Sequence, residues 1–185
     1  VNPLTIEVDG EHWIDAASYA SFGLTAIIAA GFRSQETRDL LRPLPRHMQK
    51  AIRNVKSGVD YLSHAWTQKL PDFRVDGGEL QIGKTDVAFS NNPLIAGIIH
   101  AEDTYYDTPY FGALEGINIG NPTKLITWGI PSLLGHSPLT RAEQMRITFE
   151  KEAVIPVQIG GEYHEIPSPT EIFIYKDPSK KVRML

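Results

Sequence analysis

From Met145 onward, apolar and polar residues alternate in short runs separated by turn formers, and this pattern constrains the fold more than any other feature of the chain. The runs 145–149, 154–159, 163–166, 172–175 and 182–185 each read as a strand with one apolar and one polar face. Gly160-Gly161 joins two of them as a two-residue hairpin turn, which glycine makes easy. Such closely spaced strands predict an antiparallel β architecture for this part of the chain.

The N-terminal half mixes strand and helix signals. Leu4 to Val8 alternates and ends in Asp9-Gly10, a strand entering a tight turn, and residues 12–19 supply its hairpin partner. Ser21-Phe22-Gly23 lets the backbone bend, and the continuous apolar run Leu24 to Phe32 suits a short buried helix. A long helix is predicted over 45–69, where Met48, Ile52, Val55, Val59, Leu62 and Trp66 recur every three or four residues and predict a face packed on the core. Pro45 suits its first turn, and Leu70-Pro71 ends it. Strands over 73–76, 80–82 and 85–90 predict a meander, residues 103–120 a loop, and residues 124–134 a short interrupted helix. The expectation is a mainly β (α+β) fold: an antiparallel β-sandwich with one long packed helix and one or two short ones, formed as one domain over 1–185.

Composition narrows the functional classes. With 185 residues, 42% of them hydrophobic, the chain can bury a core. Eighteen Lys and Arg against 22 Asp and Glu give a net charge of -4 with no basic cluster, which argues against nucleic acid as a partner. The absence of cysteine removes disulfides, thiolate metal sites and a Cys nucleophile. The longest apolar runs are far shorter than the roughly 20 residues of a membrane-spanning helix, so a soluble, cytoplasmic protein is expected, with any membrane association peripheral. The first residue is Val rather than Met, which leaves room for a preceding segment.

Few residues carry a chemical signature on their own. His100-Ala101-Glu102-Asp103 lacks the second His of a helical zinc motif. Alternation places Glu162 and His164 on one face of a strand and Glu165 on the other, an arrangement open to either a polar strand edge or a catalytic pair. There is no Gly-x-Ser-x-Gly elbow, no phosphate-binding glycine loop and no dinucleotide fingerprint.

Several local strings, taken in order, resemble the C-terminal domain of the diacylglycerol kinase catalytic family, which includes sphingosine kinases and bacterial lipid kinases. They are the small-residue stretch Ala16 to Gly23, the Asp60-Tyr61-Leu62 helix segment, the strand and turn Phe73-Arg74-Val75-Asp76-Gly77, and the strand Asp86 to Asn92. Glu115-Gly116-Ile117-Asn118-Ile119 stands where the family has an acid-rich segment, and the turn Gln158-Ile159-Gly160-Gly161-Glu162 where it has Gln-x-Asp-Gly-Glu. Two departures stand out: the loop after Asn92 holds one glycine where the family has several, and Gly160 replaces an Asp.

The resemblance implies transfer of phosphate from ATP, with Mg²⁺, to a lipid hydroxyl, and Glu162 as the catalytic carboxylate. It implies a nucleotide-binding N-terminal domain as partner, a lipid groove built partly by Phe22, Ile27, Ile28 and Trp66, and little catalysis from this chain alone. Gly160 removes a charge that would help hold Mg²⁺. A non-enzymatic β-sandwich binding a lipid, peptide or protein through the aromatic loop 105–111 is the alternative from another class, and a hydrolase built on Glu162 and His164 is a third.

Overall fold

The computed structural model describes residues 1–32, 41–45, 48–49, 52, 56, 59–61, 63–91, 94–95, 99–100, 106–114 and 139–182. The strands are β1 (Leu4–Val8), β2 (Glu11–Ala16), β3 (Tyr19–Gly23), β4 (Phe73–Val75), β5 (Leu80–Gln81), β6 (Asp86–Ser90), β7 (Leu94–Ile95), β8 (Ile99–His100), β9 (Phe111–Leu114), β10 (Thr140–Ala142), β11 (Gln144–Phe149), β12 (Ile155–Ile159), β13 (Glu162–Ile166) and β14 (Glu171–Lys176), with the helix α1 (Leu24–Phe32) between β3 and β4. They form two six-stranded antiparallel sheets, β2-β1-β14-β11-β4-β5 and β10-β9-β6-β3-β12-β13, and a small β7-β8 pair. The fold is mainly β and sandwich-like, as the alternating strands predict.

One hydrophobic cluster draws on both large sheets. The first contributes Ile6, Ile174 and Met145, which lie in one cross-strand row, with Leu4, Phe73, Ile147 and Ile172 beside them. The second contributes Phe22, Phe89 and Phe111 from three neighbouring strands, meeting edge to face at 5.7 and 5.9 Å between ring centroids. Such contacts add to area burial and fix how the rings interlock. The Asp9-Gly10 and Gly160-Gly161 turns follow the sequence signals, while the turn expected at Gly77-Gly78 is centred one residue earlier, on Asp76-Gly77; all three pairs have positive φ at both residues, the geometry that matches a two-residue turn to strand twist.

Several expectations change. The strand predicted over 12–19 is two strands in different sheets, split at Ala17-Ser18, because Ala16 ends pairing with β1 and Tyr19 begins pairing with β6. The meander is divided likewise: β4 and β5 belong to the first sheet and β6 to the second. The loop predicted over 103–120 contains β9, whose small residues let it pair with β6 and β10. The short helix expected over 124–134 lies outside the described residues, and Val182, expected in a strand, instead exchanges backbone hydrogen bonds with Val1.

The long helix begins where Pro45 predicts, with the Gln49 amide donating to the Pro45 carbonyl, and its described helical residues run from 48 to 64. Its expected orientation is reversed. Tyr61 and Ala65 pack on Leu24 and Ile28 of α1, while Met48, Ile52, Val59 and Trp66 face outward. No helix among the described residues is long and apolar enough to cross a membrane.

Candidate functional site

Glu162 stands at the start of β13, an outer strand of the second sheet, directly after the Gly160-Gly161 turn. The turn is tied down: the Gly160 amide donates to the Tyr19 carbonyl at 3.1 Å, so the hairpin tip is fixed against the start of β3. Glu162 is solvent-exposed. A carboxylate on a pinned turn in open solvent keeps both of its oxygens accessible.

The neighbouring side chains divide as alternation requires. Tyr163 and Glu165 share a face, with the Tyr163 hydroxyl donating to Glu165 Oε1 at 2.6 Å. Partial desolvation and this partner push the Tyr163 phenol up to about 12. His164 is on the other face and meets Trp13 of β2 edge to face at 5.9 Å between ring centroids, linking the two sheets. That contact gives His164 a packing role and leaves the hydrolase arrangement without an activated pair.

The groove residues do not converge. Phe22 is fully buried in the core, Ile28 packs against Ala65 and Tyr61, Trp66 is exposed, and Ile27 lines a cleft. That cleft, about 250 Å³, lies where α1 begins, walled by Leu24, Leu70, Pro71, Val154 and Pro156. Gln68 Oε1, buried there, has no hydrogen-bond partner among the described residues. The cleft opens beside Gly23, at the opposite end of β3 from Tyr19 and the Glu162 turn. Four strand steps, about 13 Å, separate the two ends, so this apolar space does not adjoin Glu162.

The aromatic loop is largely committed to the fold. Phe111 is core, the Arg141 guanidinium covers the Tyr110 ring 3.5 Å from its centroid, and the Tyr106 carbonyl accepts from the Asn2 amide. Lys176, almost fully buried, donates to the Tyr110 carbonyl at 3.1 Å, and desolvation pulls its ammonium down to about 8. Tyr105, Ala101 to Asp103 and Glu115 to Ile119 lie outside the described residues.

A second carboxylate site escapes sequence reasoning. Asp86, at the start of β6, is 2% exposed. Its Oδ1 accepts the Thr25 amide in the first turn of α1, and its Oδ2 accepts the Tyr61 hydroxyl, which also bonds Thr85. Burial raises the Asp86 carboxyl above the ordinary range despite these donors, and burial with the neighbouring Asp86 raises the Tyr61 phenol. Asp86 therefore caps α1 and latches the long helix to it. A lone Asp opening the apolar run Val87-Ala88-Phe89 is the one sequence signal that could have found it.

Among the described residues no three His, Asp or Glu side chains converge, and at the hairpin the turn position preceding Gly161 is glycine.

No protein-family model matches the chain, and no curated protein matches it. Three solved structures from Bacillus anthracis str. Sterne are similar in fold. Two, described as candidate diacylglycerol kinases, share 13% and 12% identity with TM-scores of 0.48, and one, described as a diacylglycerol kinase, shares 14% with a TM-score of 0.45. The matches cover 94–95% of this chain and 52–54% of theirs, so the chain spans about half the length of these structures.

Proposed function

We propose that this chain is the C-terminal, lipid-substrate domain of a diacylglycerol kinase-like lipid kinase. The observation that carries the reading is the 158–162 hairpin: the segment that resembles the family's most specific motif forms a pinned two-residue turn that holds Glu162 exposed at its exit. In this reading the Glu162 carboxylate accepts the proton of a lipid hydroxyl as that oxygen attacks the γ-phosphorus of ATP and the bond to the β,γ-bridging oxygen breaks, releasing ADP. Phosphoryl transfer relies on positioning and on charge neutralisation; among the described residues no cluster of three His, Asp or Glu side chains is found, and the sequence has no phosphate-binding glycine loop. Both are assigned to a separate N-terminal nucleotide domain, and the 185-residue chain by itself is inactive in this account.

The natural gene product tests this directly. Its intact mass is expected to exceed this chain's by an N-terminal nucleotide domain. With that product, ATP-dependent phosphorylation of diacylglycerol in mixed micelles is expected to fall about 10²- to 10⁴-fold in Glu162→Gln at unchanged thermal stability. Full turnover by the Gln variant removes Glu162 from the chemistry, and a natural product that begins at Val1 ends the kinase reading.

A further inference from the structure

Glu162 is gripped from both sides by one stretch of chain. Two residues before it, the Gly160 amide donates to the Tyr19 carbonyl at 3.1 Å. Two residues after it, the His164 ring meets Trp13 edge to face, with 5.9 Å between centroids and 85° between planes. Trp13 and Tyr19 belong to the single segment 13–19, which leaves the first sheet at the end of β2 and enters the second as β3. β13 is the outer strand of its sheet, paired with β12 alone among the described strands, so its hairpin draws this restraint from outside its own ladder. β2 is likewise an outer strand, and the Trp13–His164 contact closes the sandwich between the two margins.

The segment is itself anchored. A chain crossing between sheets turns carbonyls away from either ladder, and each needs a donor. Asn91, fully buried directly after β6, supplies them. Its backbone amide donates to the Ser18 carbonyl at 2.7 Å, and its side-chain Nδ2 donates to the carbonyls of Ala17 at 3.2 Å and Asn2 at 2.8 Å. Trp13 is half-buried against the hydrophobic core, which fixes the ring that His164 meets. Alternation sets Glu162 and His164 on one face of β13, so a rotation of the strand that freed His164 from Trp13 would carry the Glu162 carboxylate with it.

We infer that the 13–19 segment, anchored by Asn91 and acting through Trp13 and Tyr19, is the positioning element for Glu162; this rests on the reading of Glu162 as the proton acceptor. Trp13 touches no reacting atom in this account and is a positioning residue. A catalytic group displaced by about 1 Å loses on the order of 10²-fold in rate, which sets the scale of the effect.

Trp13→Leu removes the ring, and Trp13→Phe keeps an edge-to-face partner for His164. Hydrogen–deuterium exchange on this chain is expected to show residues 158–166 exchanging at least about tenfold faster in Trp13→Leu, with 171–176 of the first sheet unchanged and Trp13→Phe restoring the wild-type rate. In the natural gene product, Trp13→Leu should lower kcat for diacylglycerol about 10- to 100-fold at unchanged KM, again rescued by Phe. A hairpin that exchanges at the wild-type rate without the Trp13 ring overturns the inference. So does one that loosens while kcat stays intact in a protein whose Glu162→Gln variant is inactive. Faster exchange spread evenly over both sheets also overturns it, because Trp13 is then a core residue and no more. Full turnover by Glu162→Gln ends the kinase reading and with it the catalytic role of the segment, while the exchange rates, which need no activity, still decide whether 13–19 holds the hairpin.

Discussion

Asp86 and Glu162 occupy opposite ends of the second sheet, and the protein holds them by opposite means. Asp86 is sealed between β6, α1 and the long helix with donors on both oxygens, whereas Glu162 rides an exposed turn that leaves its carboxylate to solvent. The contrast separates architecture from chemistry. A carboxylate saturated by its own fold has no capacity left for a substrate, and one on a pinned but open turn keeps its lone pairs available.

Substitutions at the two ends should therefore differ most in stability. The largest loss is expected for Gly23→Ala, beside Asp86, because φ is +107° and a Cβ would sit 2.1 Å from the Thr85 carbonyl oxygen. Backbone must move to accept it, and urea unfolding should show a loss of about 3 kcal/mol or more; a loss under about 1 kcal/mol would mean that α1 and β6 part easily.

Asp86→Asn comes next, at about 1–3 kcal/mol near neutral pH, since one oxygen becomes an amide facing an existing donor. Its pH dependence has a definite sign. A carboxyl raised above its ordinary 3.8 binds its proton more tightly when folded, so its contribution is complete below 3.8 and is lost as pH rises through the higher folded value. The gap between wild type and Asp86→Asn should narrow from acidic to neutral pH. A gap that widens shows Tyr61 and Thr25 holding the carboxylate ionised against burial.

The smallest effect is expected at the other end. Gly160→Asp places a side chain at φ +54°, a conformation that Asp tolerates, with Ser18 Oγ at 3.9 Å as the nearest atom. Thermal unfolding should change by about 1 kcal/mol or less, and a larger loss would show the turn to be as tightly built as the Asp86 end.

Legibility from sequence follows the same division. Period-two alternation and two-residue turns are local signals, so β11 to β14 and the hairpin at Glu162 were readable to within a residue or two. The Asp86 latch is assembled from Thr25, Tyr61 and Asp86, up to 61 positions apart, and no local pattern brings them together. Sheet membership was hidden for a related reason: residues 12–19 read as one strand, and only the change of partner from β1 to distant β6 shows the chain crossing between sheets. The long helix was recognisable by its period, but periodicity gives an apolar face and not its occupant. That face proved to be the outward one, because small Ala65 and hydroxyl-bearing Tyr61 suit the close approach to α1 better than Trp66 does.

The outer strands of the two sheets have a bearing on how this protein behaves in crowded solution. Each sheet ends in one very short strand, β5 with two residues and β10 with three, and in one longer strand. The longer ones expose Glu11 and His12 on β2, and Glu162 and Glu165 on β13. An approaching strand would have to strip water from these groups or find too few backbone sites to register against, so neither margin is a ready template for cross-β growth. The acidic residues at the exit of the Glu162 turn thereby guard the colloidal integrity of the sandwich.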